Sequence, residues 1–335
     1  MTKKQTISIV LTGGTIACAM TEDGGSTTID IGNFIRSFTE FKDRLNLQVH
    51  SYCQRGGYET KVCDLIAMAD YLKQLMAEEH PDGIVIVMGT NVMEESAFAL
   101  NLLVQTDIPI VITGAIRIPE AKGADGPANL LDAITTAASK SCRNLGVLVV
   151  FNNQIHGADY IRKEHTLNCD ALTSDFKLGF VAEGFVSLRT RPIRRFMPWI
   201  QIKTEEQEVL LYTSYLGDTG QLLAFLPQTS YKGLVIEGTG GGYTAPWITE
   251  KFELLSSSIP VVMASRIGHG DTMSITYGTD YGMPGYLAEH GILNAGQLDG
   301  RKARILLTLL LMSQCTKDEI KKSFHMYSKE WDGYL

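Results

Sequence analysis

The chain has 335 residues with a formal net charge of −7, and 44% of its residues are hydrophobic while 20% are charged. That length exceeds the roughly 250 to 300 residues at which one hydrophobic core usually stops growing, so two domains are expected. The acidic balance argues against a nucleic acid or an anionic membrane as partner, because both are bound by clustered basic surface. The longest apolar run, Ile305 to Met312, is far shorter than the roughly 20 residues that a transmembrane helix needs.

The amino terminus and the cysteines predict a cytoplasmic protein with reduced thiols. The first five residues lead directly into an apolar run, with no signal-peptide segment before it. The six cysteines are scattered without C-x-x-C spacing, so the sequence suggests neither a zinc site nor a disulfide framework.

The first apolar run, Ile7 to Leu11, is typical of a buried β-strand and ends on Thr12, Gly13 and Gly14. Ligands of open α/β sheets bind at the carboxyl ends of the strands. Glycines let the backbone turn sharply there and approach a ligand closely. We therefore predict Thr12 at the rim of a cleft, beside amides that can stabilise an oxyanion. On this stretch alone, an incidental threonine in a turn is an equally good interpretation.

Strand and helix signals alternate along the first half of the chain. A polar loop over 18–33, interpreted as a lid, is followed by helices over 61–79, 93–105 and 127–140 and by strands over 84–88, 108–113 and 146–151. Asp125 is predicted to cap the third helix. A polar hairpin excursion near the site is expected over 152–173. The alternation implies right-handed βαβ crossovers and a parallel sheet.

The second half is predicted to be a smaller α/β unit. Its expected strands are 208–212, 233–237 and 260–264, and its expected helices are 246–256, 301–312 and 317–322. The predicted domains are thus 1–190 and 208–335, joined by a proline-containing linker over 191–207.

Two of the predicted strands end on a glycine-flanked threonine, Thr12 and Thr90, which a parallel sheet can hold side by side. A hydroxyl nucleophile needs a base, and Lys163 is a candidate because a desolvated ammonium loses its proton more readily. Periodicity alone does not place Lys163 near the threonines. A surface lysine in a polar loop is the competing interpretation.

Several motifs along the chain carry a resemblance to a known family. They are Thr12-Gly13-Gly14-Thr15-Ile16-Ala17, Gly114-Ala115-Ile116-Arg117, Ala124-Asp125-Gly126-Pro127-Ala128-Asn129-Leu130, Ser265-Arg266-Ile267 and Lys302-Ala303-Arg304. With these motifs the sequence resembles the bacterial-type L-asparaginase family, including its glutaminase-asparaginases, over nearly its whole length. Lys163, eleven residues after Asn152, falls where that family has its catalytic lysine.

The resemblance implies a larger Rossmann-like domain with a parallel sheet and a smaller α/β domain. It implies a homodimer or homotetramer whose sites take residues from a neighbouring subunit, and amide hydrolysis without metal or cofactor. Thr12 would attack a side-chain carboxamide, ammonia would leave, and water would cleave the threonyl ester. Thr90 and Lys163 would form the proton relay.

The sequence departs from the family where the substrate's charged groups bind. The family motif His-Gly-Thr-Asp-Thr reads Met88-Gly89-Thr90-Asn91-Val92 here, so Asn91 replaces the aspartate that holds the α-ammonium. Tyr243 and Tyr277 align with the asparagine and glutamate that a neighbouring subunit contributes. Gln54 and Arg55 replace the segment that binds the substrate carboxylate.

The expected substrate is therefore a small-molecule carboxamide, either L-asparagine or a derivative without a free α-amine. Gln54, Arg55, Gly89 and Asn91 are the predicted substrate-binding residues. A non-catalytic binding or regulatory relative of the asparaginases is the alternative. A nucleotide-binding oxidoreductase is disfavoured, because the glycines at 238, 240 and 242 lack the G-x-G-x-x-G spacing.

Overall fold

The computed structural model describes residues 4–20, 26–28, 41, 43–193, 195–275 and 278–328. The chain divides into two compact units, Met1–Arg194 (unit 1) and Arg195–Leu335 (unit 2).

Unit 1 is built from strands and helices that alternate along most of its length. Its strands are β1 (Gln5–Leu11), β2 (Cys18–Met20), β3 (Ser26–Thr28), β4 (Leu45–Ser51), β5 (Gly83–Val87), β6 (Ile110–Thr113), β7 (Val147–Phe151), β8 (Gln154–Gly157), β9 (Arg162–Lys163), β10 (Leu172–Thr173), β11 (Lys177–Ala182) and β12 (Phe185–Leu188). Its helices are α1 (Val62–Glu79), α2 (Met93–Leu103) and α3 (Gly126–Ala138).

Eight of these strands form one sheet in the order β12-β11-β8-β7-β6-β5-β1-β4. From β4 to β7 the neighbouring strands are parallel, and β8, β11 and β12 add an antiparallel edge. The predicted α/β fold is confirmed, with a mixed rather than wholly parallel sheet.

The central strands are buried on both faces, which explains their uninterrupted apolar sequences. In β5, Val85 and Val87 belong to the core that includes residues of α3, whereas Ile84 and Ile86 belong to the core that includes residues of α1 and α2. Helices therefore cover both faces, and they leave the carboxyl edge of the strands free to carry polar groups.

Most predicted elements of unit 1 lie within two residues of the observed ones, and the hairpin excursion is confirmed. There β8 runs antiparallel to β7, and β9 pairs with β10. In the expected lid, β2 and β3 form a hairpin, while 21–25 and 29–33 lie outside the described residues.

Two expectations for unit 1 need correction. Sequence reasoning missed β4, which is a half-exposed edge strand whose alternating apolar and polar residues give no continuous apolar run. Asp125 stands before α3 but makes no side-chain cap there. Its carboxylate instead accepts hydrogen bonds from the backbone N–H groups of Ile116 and Arg117, at 2.9 Å each.

Unit 2 has a parallel sheet in the order β13 (Val209–Thr213), β14 (Gly233–Gly238), β15 (Val261–Ser265) and β16 (Leu293–Asn294). Its helices are α4 (Pro246–Ser256), α5 (Pro284–Glu289), α6 (Gly300–Met312) and α7 (Lys317–Ser328). The apolar run of α6 is buried, as predicted. Within the described residues, no helix is long and apolar enough to cross a membrane.

Candidate active site

Thr12 follows β1 directly and is held against the neighbouring strand β5. Its backbone N–H donates to the Val87 carbonyl at 3.0 Å, and its hydroxyl donates to the same oxygen at 3.1 Å. The side chain is buried. The hydroxyl is thus ordered at the carboxyl edge of the sheet, where the sequence placed it.

The two glycines after Thr12 are required by close backbone contacts. Both have positive φ, 105° at Gly13 and 90° at Gly14, which strains any residue with a Cβ. A Cβ on Gly14 would lie 2.5 Å from the Gly89 nitrogen, and one on Gly13 would lie 2.7 Å from the Arg55 carbonyl oxygen. The loop after β1 therefore packs directly against the loop after β5, which carries Thr90.

Thr90 and Lys163 meet, as predicted. The Lys163 Nζ lies 2.9 Å from the Thr90 Oγ1, across 73 residues of sequence. Burial lowers the pKa of the Lys163 ammonium, and the Glu94 carboxylate raises it by a smaller amount. The net decrease favours the neutral amine, the form that can accept a proton.

A hydrogen-bond network around Asn129 fixes the loop after β6. The Asn129 amide donates to the Gly114 carbonyl and to the Asp125 carboxylate, and its oxygen accepts from the Asn152 N–H. A Cβ on Gly114 would lie 2.3 Å from the Met88 carbonyl oxygen. The motifs over 114–117 and 124–130 thus support the segment leading to Thr90, a role that their sequence alone did not reveal.

A cavity of about 350 Å³ opens beside Thr12. Its polar wall includes Thr12, Cys53, Arg55 and Asp64, and its apolar wall includes Leu65, Met68 and Met88. Gly89, one of the predicted substrate-binding residues, also lines it. The volume is within the range typical of small-molecule sites.

Arg55 contributes to the cavity wall but already has an acidic partner. Its Nη1 lies 2.9 Å from the Asp64 Oδ1, and 56% of its side chain is exposed. The other Asp64 oxygen accepts from the Lys61 N–H. Sequence reasoning missed Asp64, because a polar residue in the first turn of a helix carries no specific signal.

The remaining candidates are less centrally placed. Gln54 is exposed and falls outside the described cavity lining. Asn91 is also exposed, and its side chain lies beside Gly57, where an added Cβ would be 3.4 Å away. In unit 2, Tyr243 is half-buried in the loop after β14, and Tyr277 lies outside the described residues. Among the residues described, no cluster of three His, Cys, Asp or Glu side chains is arranged to hold a metal ion.

The fold and the polar cleft at the strand ends are those of an α/β enzyme, and comparisons with known proteins identify its family. Residues 6–194 match the family model for the asparaginase N-terminal domain. Residues 208–324 match the glutaminase/asparaginase C-terminal domain. The chain therefore belongs to the asparaginase family, and it is an asparaginase-like amidohydrolase.

Similar proteins include L-asparaginase 2 of Bacillus subtilis, 30% identical over 96% of this chain and 86% of the relative. The glutaminase-asparaginase of Acinetobacter glutaminasificans is 28% identical over 97% of this chain and all of the relative. Among solved structures, a probable cytoplasmic L-asparaginase from Campylobacter jejuni superposes with a TM-score of 0.84 at 30% identity, covering 96% of this chain and 99% of that one. The predicted family and fold are thus confirmed.

Proposed function

We propose that this protein hydrolyses a small-molecule carboxamide through a threonyl acyl-enzyme, with Thr12 as nucleophile and Thr90 and Lys163 as proton relay. The observation that carries the proposal is the 2.9 Å contact between Lys163 Nζ and Thr90 Oγ1, on the loop that packs against the Thr12 loop. A lysine with a lowered pKa beside a buried hydroxyl is suited to general acid–base work.

In the first half of the reaction the Thr12 oxygen attacks the carboxamide carbon and gives up its proton. The C–N bond then breaks, and the nitrogen takes a proton as ammonia leaves. In the second half a water molecule adds to the threonyl ester, which releases the carboxylic acid and restores the Thr12 hydroxyl. In this structure the Thr12 hydroxyl donates to Val87 O, so it must rotate away from that oxygen before it can transfer its proton.

We propose that the preferred substrate lacks a charged α-amine. A carboxylate at position 91 would attract an ammonium ~4 Å away with a gross energy of about 4 kcal/mol at an effective dielectric of 20. The Asn91 amide offers only a dipole in its place. Asp64, the acidic residue among the described cavity lining, already pairs with Arg55 and the Lys61 N–H. A free ammonium would therefore lose water without gaining an uncommitted anion.

The test is an ammonia-release screen over primary amides, each supplied with and without a free α-amine. We expect the uncharged or N-acylated amides to have the higher kcat/KM. A wild-type protein that hydrolyses L-asparagine with micromolar KM and ignores N-acyl analogues would contradict the substrate proposal. Release of ammonia from none of the amides would instead support the alternative that the protein is a non-catalytic binding or regulatory relative of the asparaginases.

Variants test the assignment of roles within the site. Thr12→Ala is expected to abolish turnover while the far-UV circular dichroism spectrum stays unchanged. Lys163→Met and Thr90→Val should each lower kcat at least ~10²-fold, the usual contribution of a positioned acid or base. Normal ammonia release by Thr12→Ala, or wild-type rates for both relay variants, would overturn the assignment.

We further propose a cytoplasmic homodimer or homotetramer, in which Tyr243 and Tyr277 are candidates to reach a neighbouring subunit's site. The association of subunits is supported by large exposed apolar side chains of unit 2. These lie on α4, on a 3₁₀ helix over Gln221–Gln228 and on the turn before that 3₁₀ helix. They are Tyr215, Leu216, Leu222, Phe225, Trp247 and Leu254. Exposed apolar surface of this kind marks association sites. Phe225→Asp is expected to reduce the mass measured by light scattering, and an unchanged mass would exclude this surface.

A further inference from the structure

We propose that Glu94 is a positioning residue of the relay: its buried carboxylate holds the Lys163 main chain so that the side chain reaches Thr90. This inference rests on the proposed roles of Lys163 and Thr90. It assigns to Glu94 no contact with the substrate.

The carboxylate of Glu94 makes a direct bond to the relay lysine. Glu94 is only 3% exposed and lies in the first turn of α2. Its Oε2 accepts a hydrogen bond from the Lys163 backbone N–H at 2.6 Å. A charge-assisted bond of this length is stronger and more directional than a bond between neutral groups.

The topology of β9 explains why a side chain is needed at this position. In its two-stranded sheet, β9 pairs with β10, and the neighbouring Glu164 N–H donates to the Ala171 carbonyl on the β10 side. Successive N–H groups of a strand point to opposite edges, so the Lys163 N–H points away from β10. The Glu94 carboxylate supplies the acceptor that a further strand would otherwise provide.

One short segment therefore bonds to both ends of Lys163. Glu94 bonds to the backbone nitrogen, and Thr90, four residues earlier, bonds to the ammonium nitrogen. Because both partners belong to the loop and first turn that follow β5, the lysine and Thr90 keep their spacing as one unit. A misplacement of about 1 Å in such a constellation can cost ~10²-fold in rate.

Glu94 also supplies negative charge to a lysine whose pKa is lowered by burial. Next to Lys163 in the chain, the Arg162 guanidinium forms ion pairs with Glu164 at 2.9 Å and with Asp175 at 3.1 Å. Removing the Glu94 charge should lower the pKa of Lys163 further. The neutral amine would then persist to lower pH, and the acid limb of kcat/KM would move to lower pH.

Two substitutions separate the hydrogen bond from the charge, and a third serves as control. Glu94→Gln keeps an acceptor oxygen and removes the charge, whereas Glu94→Ala removes both. Glu95→Gln changes the neighbouring charge on the same helical turn. We expect Glu94→Ala to lower kcat by about 10²-fold with KM changed less than about threefold. Glu94→Gln should retain more of kcat but shift the acid limb to lower pH, and Glu95→Gln should do neither.

A measurement that does not depend on turnover tests the Glu94–Lys163 hydrogen bond separately from the proposed catalytic role of Lys163. Hydrogen exchange of the Lys163 amide, followed by NMR, should accelerate at least about tenfold in Glu94→Ala and remain slow in Glu94→Gln and Glu95→Gln. Unchanged exchange in Glu94→Ala, or a wild-type pH profile and kcat in both Glu94 variants, would overturn the positioning role. Wild-type activity in Lys163→Met would instead overturn the proposed relay, whatever the Glu94 variants show.

Discussion

The buried histidine of β8 should make unit 1 sensitive to mild acid. His156 is fully buried, and its Nδ1 lies 2.7 Å from the Ser174 Oγ. The Ser174 hydroxyl donates to the Phe176 carbonyl, so the hydrogen-bond network assigns the proton to Nδ1. Nε2 has no hydrogen-bond partner in the described structure. Protonating that nitrogen would place an unpaired charge in the core.

The magnitude follows from the difference between the folded and unfolded pKa values. Burial, with a smaller effect of the Lys177 charge, lowers the pKa of His156 from 6.5 to about 4. Below pH 6.5 His156 is protonated in the unfolded chain but not yet in the folded one. Protonation therefore stabilises the unfolded state increasingly as the pH falls towards 4. Linkage gives a loss of about 2 kcal/mol in unfolding free energy between pH 7.5 and pH 5, approaching about 3 kcal/mol near pH 4.

The assay compares urea unfolding of wild type and His156→Asn at several pH values. Asparagine can still donate to Ser174 but does not titrate, so the variant should lose the acid-dependent decrease, whatever its absolute stability. Circular dichroism is the appropriate signal, because all three tryptophans of the sequence, at 199, 247 and 331, follow unit 1. His80→Asn, at an exposed histidine, is the matched control.

The comparison with wild type is essential because another group has the opposite pH dependence. Burial raises the pKa of Asp132 to about 6, so its contribution to stability is present below pH 4 and is lost as the pH rises towards 6. That effect is common to both proteins and cancels in the difference. Parallel stability curves for wild type and His156→Asn would refute the reasoning.

Three further predictions concern the cavity beside Thr12 and the adjoining loop that carries Asn91. Arg55→Ala should lower kcat/KM by about 10- to 150-fold if the guanidinium binds a substrate oxygen, whereas an unchanged value would assign Arg55 to its Asp64 ion pair alone. Asn91→Asp should raise the ratio of kcat/KM for L-asparagine to that for its N-acyl derivative, and a fixed ratio would mean that this position does not sense the α-amine. Cys53 is a cavity thiol whose pKa is raised by burial, so its alkylation should inactivate the enzyme faster as the pH rises. The Cys53→Ser variant should resist this inactivation. Equal inactivation of wild type and Cys53→Ser would contradict the prediction.

Local patterns in the sequence determined the elements and the family. The apolar run over 84–88 predicted a buried strand, because a strand covered by helices on both faces needs apolar side chains at every position. The structure shows this environment for β5. The motif at Thr12 indicated the end of a strand because two consecutive glycines allow the sharp turn that follows β1. These signals are short-range, so they can be read without knowing the partners.

Only the tertiary structure decided which distant groups meet. Lys163 reaches Thr90 across 73 residues because the segment after β8 packs along α2, where Asn101 donates to Asp159 and Glu94 accepts from the Lys163 N–H. Glu94 reaches Lys163 across 69 residues, and nothing in the local sequence distinguishes it from the adjacent Glu95. Likewise Asp125, expected to cap a helix, bonds to the loop before it. Each of these contacts depends on sheet order and burial, which are properties of the whole folded unit and leave no periodic trace in the chain.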